Sequence, residues 1–348
     1  MSDGTGKIGI EKPLETALDR MITLCFREFD FGKWMIWGFS AFVMLLGDGG
    51  MGGFNFNIPS GGGGSSGPTS PGGTTTPSPG FGSIWPQIQG FMNSQTFWIM
   101  LGVGAVLLGL FVALWVLFIW LQSRFEFIFL DNILQNHTKI TEPWDTFSVE
   151  GQTLFKWRII FITGYMLVLL MEFALLATVV FAMCMDSIKS GVLSSTGMAG
   201  IVIGVALLLI LILPTMVLCS LVVFVIKHFI IPLMYDKAIG VGQAWRIVKP
   251  VLLGHRMDFF IYLLVRIAIA MGAGFITIMV FYGTCMLCCT SCIPFLGAYV
   301  LAVIMLPVHV FSRIMAVEFT RQFEPVGALP PEQGKKPAAI PEYDPKKL

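Results

Sequence analysis

Gly197-Met-Ala-Gly-Ile-Val-Ile-Gly-Val-Ala-Leu-Leu-Leu-Ile-Leu-Ile-Leu-Pro-Thr-Met-Val-Leu-Cys-Ser-Leu-Val-Val-Phe-Val-Ile226 runs for 30 residues without one charged side chain. At 1.5 Å per residue a helix of this length more than crosses a hydrocarbon core of about 30 Å. Five further blocks have the same character: Phe31–Gly47, Thr96–Leu121, Trp157–Met185, Phe259–Thr284 and Ile293–Phe311. Their apolar runs are continuous rather than alternating, which predicts helices and not a barrel. Across all 348 residues, 55% are hydrophobic, 12% are charged and the mean hydropathy is +0.79. A soluble domain carries roughly twice that share of charge. These figures exclude an ordinary soluble enzyme. The expected fold is all-α: a polytopic bundle of six transmembrane helices.

Charge placement sets the orientation. Of 22 Lys and Arg residues, 21 fall before or at the start of span one, after span six, or around the 2–3 and 4–5 connections, counting Arg266 two turns inside span five; only Lys189 lies on the other side. Basic residues stay on the cytoplasmic side, so both termini are expected there. No small-residue cleavage site follows the first apolar block, and no signal peptide is expected. The chain then divides into a cytoplasmic amphipathic helix (1–30), span one (31–47), an exported loop (48–95), a bundle of spans two to six with interfacial helices (96–323) and a tail (324–348). The loop, rich in Gly, Ser, Thr and Pro, and the tail, rich in Pro and Lys, bury too little apolar surface to fold, so both are expected to be disordered.

The cytoplasmic connections share an order. Each even span ends in a basic residue followed by a further apolar stretch: Arg124-Phe-Glu-Phe-Ile-Phe-Leu-Asp131, Lys227-His-Phe-Ile-Ile-Pro-Leu-Met-Tyr-Asp236 and Arg313-Ile-Met-Ala-Val-Glu-Phe-Thr-Arg321. In each, the cation is expected to snorkel to the headgroups while the apolar extension lies at the interface. Each odd span is preceded by an amphipathic segment. Leu14, Leu18, Met21, Cys25 and Phe29 form one apolar stripe. Thr141-Glu-Pro-Trp144 opens the second, with Thr141 as N-cap. Ala244, Trp245, Val248 and Leu252 mark the third. Three interfacial helices in a threefold pseudo-repeat would brace the spans from the cytoplasmic side.

Few residues carry chemistry. Glu172 is the one acidic residue well inside a predicted span, and an intramembrane charge is a functional-site hypothesis by default. Arg266, inside span five, is its best counter-charge; Tyr262, Thr277 and Ser220 are alternatives. Cys285, Cys288, Cys289 and Cys292 fill the turn between spans five and six, with Cys184 at the same level. That cluster suits a disulfide or inert packing, and its paired spacing also fits zinc or thiol exchange. Gly200 and Gly204 have the spacing of close helix contact. Pro214 and Pro307 are expected to bend their spans, and His309 to face a polar neighbour. Gly4-Thr-Gly-Lys-Ile-Gly9 and Gly63-Gly-Ser-Ser-Gly67 match catalytic expressions but lack the strand context these need. The sequon at Asn136 falls on the cytoplasmic side. No cofactor, nucleic-acid site or catalytic set is indicated.

Several stretches taken in order resemble a bacterial family of multi-pass membrane proteins of uncharacterised role. They are Phe29-Asp-Phe-Gly-Lys-Trp34, Arg124–Asp131, Pro143-Trp144 with Gly151 and Leu154-Phe155, Phe229–Met234 with Ala244-Trp245, and Ile293-Pro-Phe-Leu-Gly297 with Leu306-Pro307. The pattern is similar to the non-catalytic membrane domain attached to some glycerophosphoryl diester phosphodiesterases. The resemblance implies six spans in the bacterial inner membrane, and it transfers no enzyme activity, because the catalytic barrel is absent from these residues. The function expected is a non-enzymatic scaffold or accessory subunit that engages lipid, a membrane protein or a second copy. The alternatives are a small-solute or ion transporter using Glu172 and Arg266, and a thiol-active protein using Cys285–Cys292.

Overall fold

The computed structural model describes residues 9–46, 95–190, 195–287 and 294–322, and among them it contains helices and no strand. The helices are α1 (Glu11–Ile22), α2 (Phe31–Leu46), α3 (Gln95–Gln135), α4 (Thr141–Thr146), α5 (Ser148–Ser190), α6 (Ser195–Val225), α7 (Ile231–Lys237), α8 (Val241–Gly254), α9 (Arg256–Leu287), α10 (Pro294–Ile304) and α11 (Leu306–Arg321). π-Helical turns at Thr23–Arg27 and Ile226–Ile230 extend α1 and join α6 to α7.

Four helices are long and apolar enough to cross a membrane: α3, α5, α6 continuing through α7, and α9. A fifth arises if α10 and α11 count as one span bent by 57°. The bend falls at Met305, and Pro307 sits in the first turn of α11, where its missing N–H costs nothing. Pro214 lies inside α6 without ending it. α2 is apolar but only 16 residues long, about 24 Å, and falls short of a full span. The side chains of the spanning stretches stand largely uncovered, Trp98 at 63% and Met171 at 74% exposed. Apolar surface on that scale calls for a lipid environment.

The chain forms two compact units. One comprises residues 1–54, 117–161 and 220–348; the other 55–116 and 162–219. In the second, α6 packs antiparallel to α5. A Cβ on Gly200 would come within 2.6 Å of the Met183 Cβ, and one on Gly204 would collide with Val180. Small residues at this spacing let the two helices close.

The first unit holds the buried core, and here the structure departs from the sequence reading. The three apolar extensions do not lie on a lipid interface. Phe127, Ile128, Phe129 and Leu130, then Phe229, Ile230, Met234 and Tyr235, then Ile314, Met315, Val317 and Phe319 are all sealed within the protein. Nearly all of them fall in one cluster, with Tyr262 against Phe319 at 4.4 Å and Phe229 against Phe259 at 4.9 Å. Arg124 and Arg313 do not snorkel either. The Arg124 guanidinium lies 5.0 Å from the Trp120 ring and 4.8 Å from that of Trp144, and Arg313 is buried.

The segments that precede the odd spans also differ from expectation. α1 and α8 are separate helices. The second segment is only the six-residue α4, and Leu154 already belongs to the long α5. Thr141 is not the N-cap: Ile140 holds that position, with no side-chain cap bond. Asn136 ends α3 in the left-handed region (φ 52), where Asn is tolerated, and donates to Glu28 at 2.8 Å.

Around this core the first and last described helices are tied together. α1 lies along α11, with Arg20 3.4 Å from Glu318. Gln322 donates to the Gly9 carbonyl at 2.9 Å and accepts from the Gly9 N–H at 2.8 Å. α2 packs on α10, where Gly38 leaves no room for a side chain beside Val303 and Tyr299 donates to the Met35 carbonyl.

Candidate functional site

The densest polar arrangement is buried in the first unit and centres on Glu126. This side chain is wholly enclosed, and each of its oxygens meets an arginine: Oε1 with Arg158 at 2.8 Å, Oε2 with Arg313 at 2.6 Å. Arg158 also donates to Ser123, and Arg313 to the Lys227 carbonyl at 3.1 Å. Two guanidiniums thus share one carboxylate in a space closed to water. Charge-assisted bonds of this length are strong, and the desolvation they offset is large. The signal in the sequence was an acid embedded between phenylalanines in Arg124–Asp131. In sequence that stretch reads as interfacial, which hides the acid.

Beside Arg313 lies a cavity of about 430 Å³. Its polar lining includes Arg266, Arg313, Lys227, His228, His309, Ser312, Ser220 and Thr277, within walls that are mostly apolar. The π-helical turn Ile226–Ile230 places His228 here, and such turns recur at functional sites. Arg266 Nη2 donates to the Ser312 hydroxyl and sits 3.3 Å from His228 Nε2. A nitrogen facing an arginine must accept, so the His228 proton sits on Nδ1, 3.5 Å from the Tyr262 hydroxyl. Arg266 Nε and Nη1 and His309 Nε2 are buried with no hydrogen-bond partner. The polar neighbour expected for His309 is not there for that nitrogen.

Glu172 is in the other unit. Its Oε1 accepts a 2.6 Å bond from Thr215 on α6, a residue that sequence reasoning had not named, while Oε2 has no partner. The arrangement is a carboxyl–hydroxyl link between α5 and α6. Arg266 makes its contacts within the first unit.

Cys288, Cys289 and Cys292 lie outside the described residues, and of Cys184 and Cys285 only the helical backbone is described. The cysteines with described side chains, Cys25 and Cys219, are free thiols. Burial pushes Cys25 up to about 12. Among the described residues no group of three His, Cys, Asp or Glu is placed to hold a metal ion.

No curated protein and no solved structure matches the chain. Residues 12–322 match a family of unknown function, DUF7544, from the first helix to the end of α11. That span takes in the Glu126 cluster, the Arg266 cavity and the Glu172–Thr215 link, and the chain belongs to this family.

Proposed function

We propose that the chain is a multi-pass protein of the bacterial inner membrane that works without catalysis, as a scaffold or accessory subunit. It engages lipid at its cytoplasmic face and there receives a membrane-protein partner or a second copy. The observation that carries this reading is the two-sided use of α1 and its π-helical extension. Ala17, Arg20 and Cys25 are buried, while Leu14, Leu18, Ile22, Phe26 and Phe29 form an uncovered row at spacings of three or four, Leu18 at 48% and Phe26 at 59% exposed. A helix fastened to the protein on one side, with an exposed apolar row set among charged residues such as Glu11 and Glu15 on the other, suits the headgroup boundary of a bilayer.

The one-sided placement of Lys and Arg supports a cytoplasmic position for both termini. In this reading α2 and the bent α10–α11 pair complete six spans, and the order shared by the three buried extensions reflects a threefold plan. The likeness to the phosphodiesterase membrane domain is consistent with such a non-catalytic part.

A photo-crosslinking amino acid placed at Leu18 or Phe26 in the full chain, reconstituted in phospholipid, tests this. Phospholipid adducts are expected at both positions. Adducts at neither would overturn the lipid-facing reading. A transport role through Glu172 and Arg266 would instead be favoured by proton- or ion-coupled uptake in proteoliposomes that Glu172→Gln abolishes.

A further inference from the structure

We propose that the cavity beside Arg266 is a binding site for a phosphate-class oxyanion, carried either by an anionic lipid headgroup or by a free small anion. The argument is one of charge and unmet donors. Arg266 and Arg313 both line the cavity, and among the described residues no carboxylate does. Glu126, the carboxylate that Arg313 meets, has each oxygen engaged by Arg158 or Arg313. Among the described residues Arg266 has hydrogen-bond partners but no carboxylate in contact.

Its local partners are neutral acceptors, the Ser312 hydroxyl and an unprotonated His228 nitrogen. Two of its donors, at Nε and Nη1, have no acceptor, and His309 Nε2 has no hydrogen-bond partner. A buried donor without a partner is costly, more so on a charged group. An oxyanion in the cavity would meet these donors with charge-assisted bonds and supply the missing negative charge. A neutral His309 with its proton on Nε2 would add a donor, and the Thr277 hydroxyl a polar contact. The remaining walls, such as Met44 and Leu263, are apolar. They would suit the glycerol and acyl stem of a lipid, and would leave a small anion poorly hydrated.

The test uses the full chain purified in mild detergent. Native mass spectrometry compares retention of phosphatidylglycerol with that of phosphatidylcholine, and thermal melting is followed against sodium phosphate at constant ionic strength. At least tenfold preference for phosphatidylglycerol identifies a lipid headgroup. A phosphate-dependent rise in melting temperature without that preference identifies a small anion. Either effect should fall at least tenfold in Arg266→Met and be kept in Arg246→Gln, which alters an exposed arginine. Arg266→Lys should keep part of it. Arg266→Met removes a poorly compensated buried cation, so it should melt no lower than the parent when no anion is added. Neither effect in the parent chain, or the same effect in Arg266→Met, would overturn the site.

Discussion

Glu126 and Arg313 lie 187 positions apart in the chain and meet at 2.6 Å in the interior of the first unit. With Arg158 on the other oxygen, this carboxylate ties α3, α5 and α11 together. Glu126→Gln would leave two buried guanidiniums facing a neutral amide. The expected loss is about 3–5 kcal/mol, the usual result of breaking a buried ion pair on one side. Thermal unfolding in detergent measures it. The triple replacement Glu126→Leu, Arg158→Met, Arg313→Met should recover most of the loss, since an apolar set carries no desolvation debt. A single variant as stable as the parent would show that the cluster is not closed to water.

The glycine spacing on α6 gives a contrast between two sites. Gly204→Leu must displace Val180 on α5 and is expected to cost about 1–3 kcal/mol by overpacking. Gly102→Leu on α3 has nothing within 4 Å of its new Cβ and should be neutral or slightly stabilising. Paired melting curves separate the two.

Thr215→Val removes the hydroxyl that meets Glu172 while preserving volume. Hydrogen bonds between membrane helices are worth about 0.6 kcal/mol and rarely more than about 1.7. A loss in that range is expected, and Glu172→Ala should lower stability by a comparable amount or more. A change in solute flux with no change in melting would assign Glu172 a transport role instead.

Cys25 is fully buried and burial pushes its thiol up to about 12, so very little thiolate forms at pH 8. Maleimide should leave Cys25 unmodified in the folded protein and modify it after denaturation, as read by peptide mass spectrometry. Rapid labelling of the folded chain would mean that α1 leaves α11 on that timescale.

Sequence and structure agree where the signal is periodic and long. The apolar runs of α3, α5, α6 and α9 were legible because a hydrocarbon core demands continuous stretches of low polarity. The limits of those helices were not. α3 runs on past Leu121 to Gln135, since an apolar extension reads alike whether lipid or protein covers it. Glu126 was hidden for the same reason: composition places a charge at an interface, and only tertiary packing brings Arg158 and Arg313 to it. The α1 stripe was legible as amphipathic, yet its direction was not. Ala17 and Cys25 face the protein, while Leu18 and Phe26 are left uncovered. His228 and Ser312 gain meaning only through Arg266, which the sequence marks as a counter-charge for Glu172.

The most direct test of the account is which side of the membrane the compact unit occupies. A fluorescent protein fused after Leu348 and alkaline phosphatase inserted near Ser65 report the two sides in living bacterial cells. Fluorescence from the first fusion and phosphatase activity from the second are expected, because 21 of the 22 basic residues flank one side. Phosphatase activity from a fusion after Leu348 would place the unit outside the cytoplasm and contradict the account.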